Sequence, residues 1–215
     1  MHKIDLHVHT EASPDSCIAA DDVRAMLKNG NLDAIAITDH NTTEMALELK
    51  KEFGPKIIVG EEIKTIEGEI IGLFLTSTIE PGLSVIETIG AIRRQNGLVY
   101  IPHPFDKHRR SGLPAKTLDA IADEVDIIET CNGRDYLTRH ARRAKAWASH
   151  NKVAQAHSSD AHGVYGWGKT YSVIDQLPTR DTLVKELHTA EYCSRKVGLF
   201  GLFYPTFNLL RNRRG

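Results

Sequence analysis

A chain of 215 residues with 41% apolar side chains is long enough for one domain with a full hydrophobic core and too apolar for a disordered segment. A formal net charge of −1 excludes a protein that coats a polyanion over its whole surface, leaving only local basic patches. Cys17, Cys131 and Cys193 are odd in number, far apart and without CxxC spacing. Neither a disulfide framework nor a structural zinc finger is expected, and a reducing cytoplasm is the expected compartment.

The N-terminus runs straight into Ile4-Asp5-Leu6-His7 with no apolar signal region, and no apolar run reaches the roughly 18 residues that a bilayer demands. In chain order, a strand over Lys3–His7 precedes a helix over Asp21–Lys28, and a strand over Ala34–Thr38 precedes a helix over Thr43–Phe53. Asn41-Thr42-Thr43-Glu44 supplies capping side chains for that second helix, and Gly54-Pro55 stops it. A strand over Ile57–Gly60 leads into Ile63–Thr76, which reads as a β-hairpin turning near Glu67-Gly68 and interrupts the alternation. Next come a helix over Val85–Gln95, a strand over Leu98–Ile101 and a helix over Ala115–Ala122. The order closes with a strand over Asp126–Thr130, a helix over Arg139–His150, a strand over Val153–His157 and a helix over Thr179–Thr189. This β-α alternation predicts a single α/β domain spanning residues 1–215 around a parallel sheet or barrel.

The last stretch, Val197–Leu210, is aromatic (Phe200, Phe203, Tyr204, Phe207) and runs into Arg211-Asn212-Arg213-Arg214. It is expected to close the core as a strand or helix, with a partner or membrane-surface contact and a frayed tail as the alternatives. Gly198, Gly201 and Pro205 argue against one continuous amphipathic helix.

The chemistry is concentrated at the ends of the strands, where loops of parallel α/β folds gather ligands. His7 and His9 end the first, Asp39 and His40 the second, Glu61 and Glu62 the third. His103 ends the next, Glu129 and Asn132 another, and Asp160 and His162 the last. His-x-His on a strand points both imidazoles to one face. Taken singly, each group has an ordinary surface or capping reading. Taken together, six strand ends carrying histidine and carboxylate but no cysteine predict a catalytic metal cluster rather than a structural zinc site.

Asp5-Leu6-His7-Val8-His9-Thr10, Ser13-Pro14-Asp15-Ser16, Thr38-Asp39-His40, Gly60-Glu61-Glu62, His103-Pro104 and Ser159-Asp160-Ala161-His162 resemble, in order, the motifs of the PHP (polymerase and histidinol phosphatase) family. The resemblance implies a distorted (β/α)7 TIM-like barrel over the motif-bearing residues 1–162, with 163–215 as a C-terminal extension. It also implies hydrolysis of a phosphate ester by a metal-bound hydroxide, with two or three divalent ions (manganese, zinc or iron). One ion would take His7, His9, Glu62 and Asp160, with Glu62 bridging; a second would take Asp15, His40 and His162. A third would take Glu62, His103 and a hairpin histidine. Here Glu69-Ile70-Ile71-Gly72 stands where the family has histidine-x-x-glycine, so Glu69 occupies that ligand position. Glu61, next to Glu62, is expected to face the other way and be structural.

Phosphate calls for fixed cations, and Arg134, two residues beyond Asn132, is the first candidate. Lys107, Arg109 and Arg110 form either a basic loop over the pocket or a solvated surface, and His108 either a proton donor or a surface residue. Tyr165 and Trp167 either stack a base or pack, and packing is the preferred reading. The expected substrate is a small phosphorylated metabolite or a nucleotide, because basic and aromatic residues are not interleaved as in an extended nucleic-acid platform. The alternatives are an amidohydrolase-type C–N hydrolase, a short-oligonucleotide phosphodiesterase, and a non-enzymatic metal-binding module.

Overall fold

A computed structural model describes residues 1–106, 111–135, 138–195 and 198–212. Strands β1 (His2–Val8), β2 (Ala34–Ile37) and β3 (Ile57–Lys64) run parallel, joined by helices α1 (Ala20–Lys28) and α2 (Glu44–Phe53). Strand β4 (Glu69–Leu73) turns back antiparallel on β3 and pairs antiparallel with β5 (Leu98–Ile101) beyond α3 (Val85–Arg94). The turn between β3 and β4 is too short for a crossover, so these two strands can pair only as a hairpin. Parallel order resumes through α4 (Ala115–Ala120), β6 (Ile127–Asn132), α5 (Thr138–Asn151) and β7 (Ala154–Ser158). Strand β8 (Thr170–Ile174), α6 (Leu183–His188), β9 (Glu191–Ser194) and α7 (Gly198–Asn212) follow.

The sheet order is β7-β6-β5-β4-β3-β2-β1-β8-β9. The chain just past β7 returns to β1, third from the other end of that order, where Asp160 N donates to His7 O at 2.9 Å and His9 N donates to Ala161 O at 3.0 Å. A parallel bridge joins Val8 to Ala161. The result is the expected TIM-like barrel, nearly closed between β7 and β1, with β4 antiparallel to both its neighbours and β8 and β9 added antiparallel beyond β1.

Alternation along the strands sorts the core into two layers. Ile4, Leu6, Ala34, Ala36, Ile58, Ile71, Leu73, Tyr100, Ile127, Ala154 and Ala156 fill the barrel, which Leu183 and Leu187 of α6 help to close. Ile35, Ile37, Val59, Val99, Ile101 and Ile128 face outward beneath the helices. Tyr100, fully buried, is the largest of the side chains that fill the barrel.

Helix ends follow local chemistry. Thr42 Oγ1 accepts from Glu44 N at 3.2 Å at the start of α2, while Thr43 pairs with Thr78 instead. At α3 Ser84 and Glu87 form a reciprocal capping box. The C-terminal segment departs from expectation, because α7 runs unbroken through Pro205. Docking overrides the low helical propensity: Asn208 is buried and its Nδ2 donates to Asp15 O at 2.9 Å and His162 O at 3.3 Å. Tyr204 packs on Gly163, where a Cβ would meet the ring at 2.5 Å. No helix among the described residues is long and apolar enough to cross a membrane.

His157 on β7 points away from the barrel interior, stacks on Tyr192 and places Nδ1 2.5 Å from Ser194 Oγ. Burial, and then Lys145, push its pKa down from 6.5 to about 4. The unfolded chain therefore binds more protons between those values, so stability is complete above the unfolded pKa and is lost as pH falls toward the folded one. Going from about pH 7.5 to about pH 5, His157→Gln should lose roughly 2 kcal/mol less stability than the parent. Urea denaturation at both pH values checks this, and equal losses in the two proteins would refute it.

Candidate metal centre

Two β-bulges aim the site. In β1 the register slips between Asp5 and Val8, so Ile4 and Leu6 face the barrel interior, Val8 packs outward, and His7 and His9 both turn inward. In β6 the register slips between Glu129 and Cys131, which lets Glu129 and Asn132, three residues apart, reach the same carboxylate neighbourhood. Gly60 lets β2 and β3 close up before Glu62, since a Cβ there would lie 2.8 Å from Thr38 Cγ2 and 3.1 Å from Ile37 O.

His103 (φ 31°) and Asp160 (φ 53°) sit in the left-handed region, a strain of about 1–3 kcal/mol each that the surroundings must hold. Glu129 Oε2 accepts from His103 N at 2.6 Å, and the closing bond to His7 O fixes Asp160.

The expected ligands converge. His7 Nε2 and His9 Nε2 lie 3.1 Å apart. Glu62 Oε2 lies 3.6 Å from His7 Nε2, 3.2 Å from His9 Nε2 and 3.2 Å from His40 Nδ1. Its other oxygen is 2.9 Å from His103 Nε2. Asp160 Oδ1 is 3.6 Å from both His7 and His9. Asp15 Oδ2 is 3.2 Å from His162 Nε2 and 3.6 Å from His40 Nε2. Glu69 Oε2 reaches to 3.7 Å of His103 Nε2.

Four overlapping sets have donor atoms mutually within 4.8 Å: His7-His9-Asp160, His9-His40-His162, His7-Glu62-His103 and His40-Glu62-Glu69. The second of these sets cuts across the expected division of ligands, because the His9 ring centroid lies 4.4 Å and 4.2 Å from those of His40 and His162, against 5.1 Å from His7. One carboxylate oxygen facing three imidazole nitrogens exceeds what hydrogen bonding satisfies, and buried Asp15 Oδ1 has no hydrogen-bond partner. Imidazole and carboxylate donors that converge in this way fit divalent cations.

The surrounding groups hold the ligands in place. Glu129 Oε1 lies 3.1 Å from His7 Nδ1, which turns Nε2 toward the cluster. Tyr100 OH donates to the same oxygen at 3.0 Å. Asn132 Nδ2 donates to Glu129 Oε2 at 2.8 Å and to Asp160 Oδ2 at 3.1 Å, and its carbonyl oxygen accepts from Arg134 N. Ser13 Oγ sits beside His9 Nδ1 and donates to Asp39, which also accepts from Thr10 N and Oγ1 at 2.6 Å each. Asp39 thus ties down the loop after β1 instead of joining the cluster. Glu61 faces away, accepting from Ile79 N at 2.9 Å.

Charge alternates across the site. Burial would raise Glu62, but His7, His103 and His9 together hold it well below the usual carboxylate range. Burial also opposes protonation of His40, yet Asp15 and Glu62 raise it to about 9. His162 is pushed down to about 3 by burial and by its neighbours His9 and Arg134, which leaves it a neutral donor. Burial and the neighbouring Glu62 push Glu69 up.

Arg134 stands at the edge, with Nη1 3.3 Å from Asp160 Oδ2 and 3.3 Å from His162 Nδ1. Lys107, His108, Arg109 and Arg110 lie outside the described residues. Trp167 is buried, in line with packing, whereas Tyr165 is half exposed. The roles of Glu129, Ser13 and Asn208 go beyond what the sequence reading assigned.

The PHP domain family model matches residues 5–162. An uncharacterized protein of Methanocaldococcus jannaschii, MJ1587, is 44% identical over 139 residues, covering 59% of this chain and 81% of its own. A two-domain protein from Bacteroides vulgatus containing a predicted PHP-like metal-dependent phosphoesterase superposes with a TM-score of 0.64 at 19% identity, over 97% of this chain. The present chain spans 63% of that protein's length. An amidohydrolase from Chromobacterium violaceum with bound sulfate superposes at 0.62 and 14% identity, over 92% of this chain and 99% of its own.

Proposed function

We propose, from the premise that this chain belongs to the PHP domain family, that it hydrolyses the phosphate ester of a small metabolite or nucleotide at a centre of two or three divalent ions. The observation that carries this reading is the convergence of five histidines with Asp15, Glu62, Glu69 and Asp160 at one end of the parallel strands, beside Arg134.

In this reading His7, His9, Glu62 and Asp160 hold one ion, and Asp15, His40 and His162 a second. Glu62, Glu69 and His103 hold a third, with Glu62 shared. Manganese, zinc and iron all suit such donors. Bound there, the ions supply Lewis acidity that offsets phosphoryl charge and lowers the pKa of water. Glu129 fixes the orientation of His7, Asn132 that of Asp160, and the Arg134 guanidinium offers a fork to a phosphoryl oxygen. Lys107 and Arg109, next along the chain from the His103 strand end, are the further candidates for phosphate. Cleavage of a C–N bond needs no such cation, which is why phosphate is preferred over amidohydrolase chemistry.

The test is metal content of the purified protein, paired with a panel of phosphate mono- and diesters after manganese or zinc reconstitution. Two or three ions per chain with metal-dependent phosphate release are expected. In the same assay Arg134→Ala should raise KM at least about tenfold with metal content unchanged, since a charge-assisted bond is worth about 1.5–3 kcal/mol. A full metal complement without phosphate release across the panel would move the assignment to C–N hydrolysis or metal binding. A chain that takes up no metal would end it.

A further inference from the structure

Helix α7 has two unlike faces. One carries Tyr204 against Gly163 and Asn208 against the carbonyls of Asp15 and His162, and so docks on the loops that bear the candidate ligands. The other presents Phe203, Phe207 and Leu210, which are 51%, 64% and 51% exposed and spaced at i, i+4 and i+7. Val164 and Tyr165, which directly follow Gly163, are also exposed, with Lys169 Nζ 5.1 Å from the Tyr165 ring centroid. The sequence from Ser194 to Gly215 contains Arg195, Lys196, Arg211, Arg213 and Arg214 and no acidic residue.

We propose that the exposed face of α7 docks this domain on an anionic lipid bilayer. The proposal goes beyond the catalytic reading and does not depend on it. An aromatic and aliphatic stripe in a segment whose sequence carries five cations and no acidic residue suits the boundary between acyl chains and anionic headgroups. A second copy of the chain fits less well. Its own α7 segment would bring five more positive charges and no negative ones. The helix is also too short to span a bilayer, so the contact is one of surface docking.

Co-sedimentation of the full chain with phosphatidylcholine vesicles, with and without phosphatidylglycerol, tests this. The protein should partition onto the phosphatidylglycerol vesicles, and high salt should release it. The double variant Phe203→Ser/Phe207→Ser should bind at least about tenfold more weakly, because it removes most of the insertable apolar area. Metal content and hydrolysis of soluble substrate should stay at parental levels in that variant. Equal binding by parent and variant, or no preference for phosphatidylglycerol, would overturn the proposal. So would a dimer in sedimentation equilibrium that the same substitutions dissolve, since a second copy would then cover this face.

Discussion

Glu62→Gln is expected to cost the protein its full metal complement and to slow phosphate-ester hydrolysis by about three orders of magnitude, the upper range for losing one preorganised electrostatic group. Glu62 meets four imidazoles with two oxygens: His103 with one, and His7, His9 and His40 with the other. An amide preserves the shape but removes the negative charge that would let one group be shared by two cations. It also turns either a donor or a weaker acceptor toward each ring. Glu61→Gln makes a demanding control one residue away. That side chain accepts from Ile79 N, and burial already pushes its carboxyl up to about 7, so an amide should leave metal content unchanged. Metal analysis and turnover for the pair decide the matter. Parental metal and rate in Glu62→Gln would remove the bridging role, and equal losses in both variants would mean that β3 itself had been disturbed.

The contrast between those two glutamates shows what a sequence makes legible. Period-two alternation along a strand puts neighbours on opposite faces, so Glu61 and Glu62 separate without a structure. The same rule pairs His7 with His9, though the slip between Asp5 and Val8 is what turns both inward. It fails where the register slips. Nothing local in Ile127–Asn132 reveals a bulge, so the joint approach of Glu129 and Asn132 to Asp160 had no readable signal. Glu129 stood out as a strand-end acid, but its grip on His7, 122 residues away, depends on β1 and β6 facing each other across the barrel.

The C-terminal helix illustrates the opposite failure. Local propensity at Gly198, Gly201 and Pro205 argues against a continuous helix, yet α7 is one, because the decisive contacts are tertiary. Asn208 meets the carbonyl of Asp15 at a separation of 193 residues, and no periodicity encodes that. Asp39 shows a third case. Its position beside His40 suggests a ligand, yet three bonds from Thr10 and Ser13 commit it to shaping the loop that carries His9 and Asp15.

Glu129→Ala is expected to cost about 3–5 kcal/mol of stability, the usual effect of stripping one partner from a buried charged network. Four groups converge on this carboxylate: His7 Nδ1, His103 N, Asn132 Nδ2 and Tyr100 OH. All four residues are buried, so water cannot readily replace the lost acceptor. Burial raises the carboxyl, but His7 outweighs it and holds the pKa below its usual value, so a negative charge sits beneath the cluster at neutral pH. Glu129→Gln separates orientation from folding. The amide keeps the volume, and its oxygen can still serve His7 or His103 N but not both. It should therefore fold with a smaller stability loss while weakening metal affinity about 10- to 100-fold, the range for groups that orient metal ligands. Denaturant titration of the metal-free proteins reads the first effect, and metal titration of the folded Gln variant reads the second. If Glu129→Gln bound metal as tightly as the parent, His7 would be oriented by the β1 bulge alone, and Glu129 would belong to the fold and not to the site.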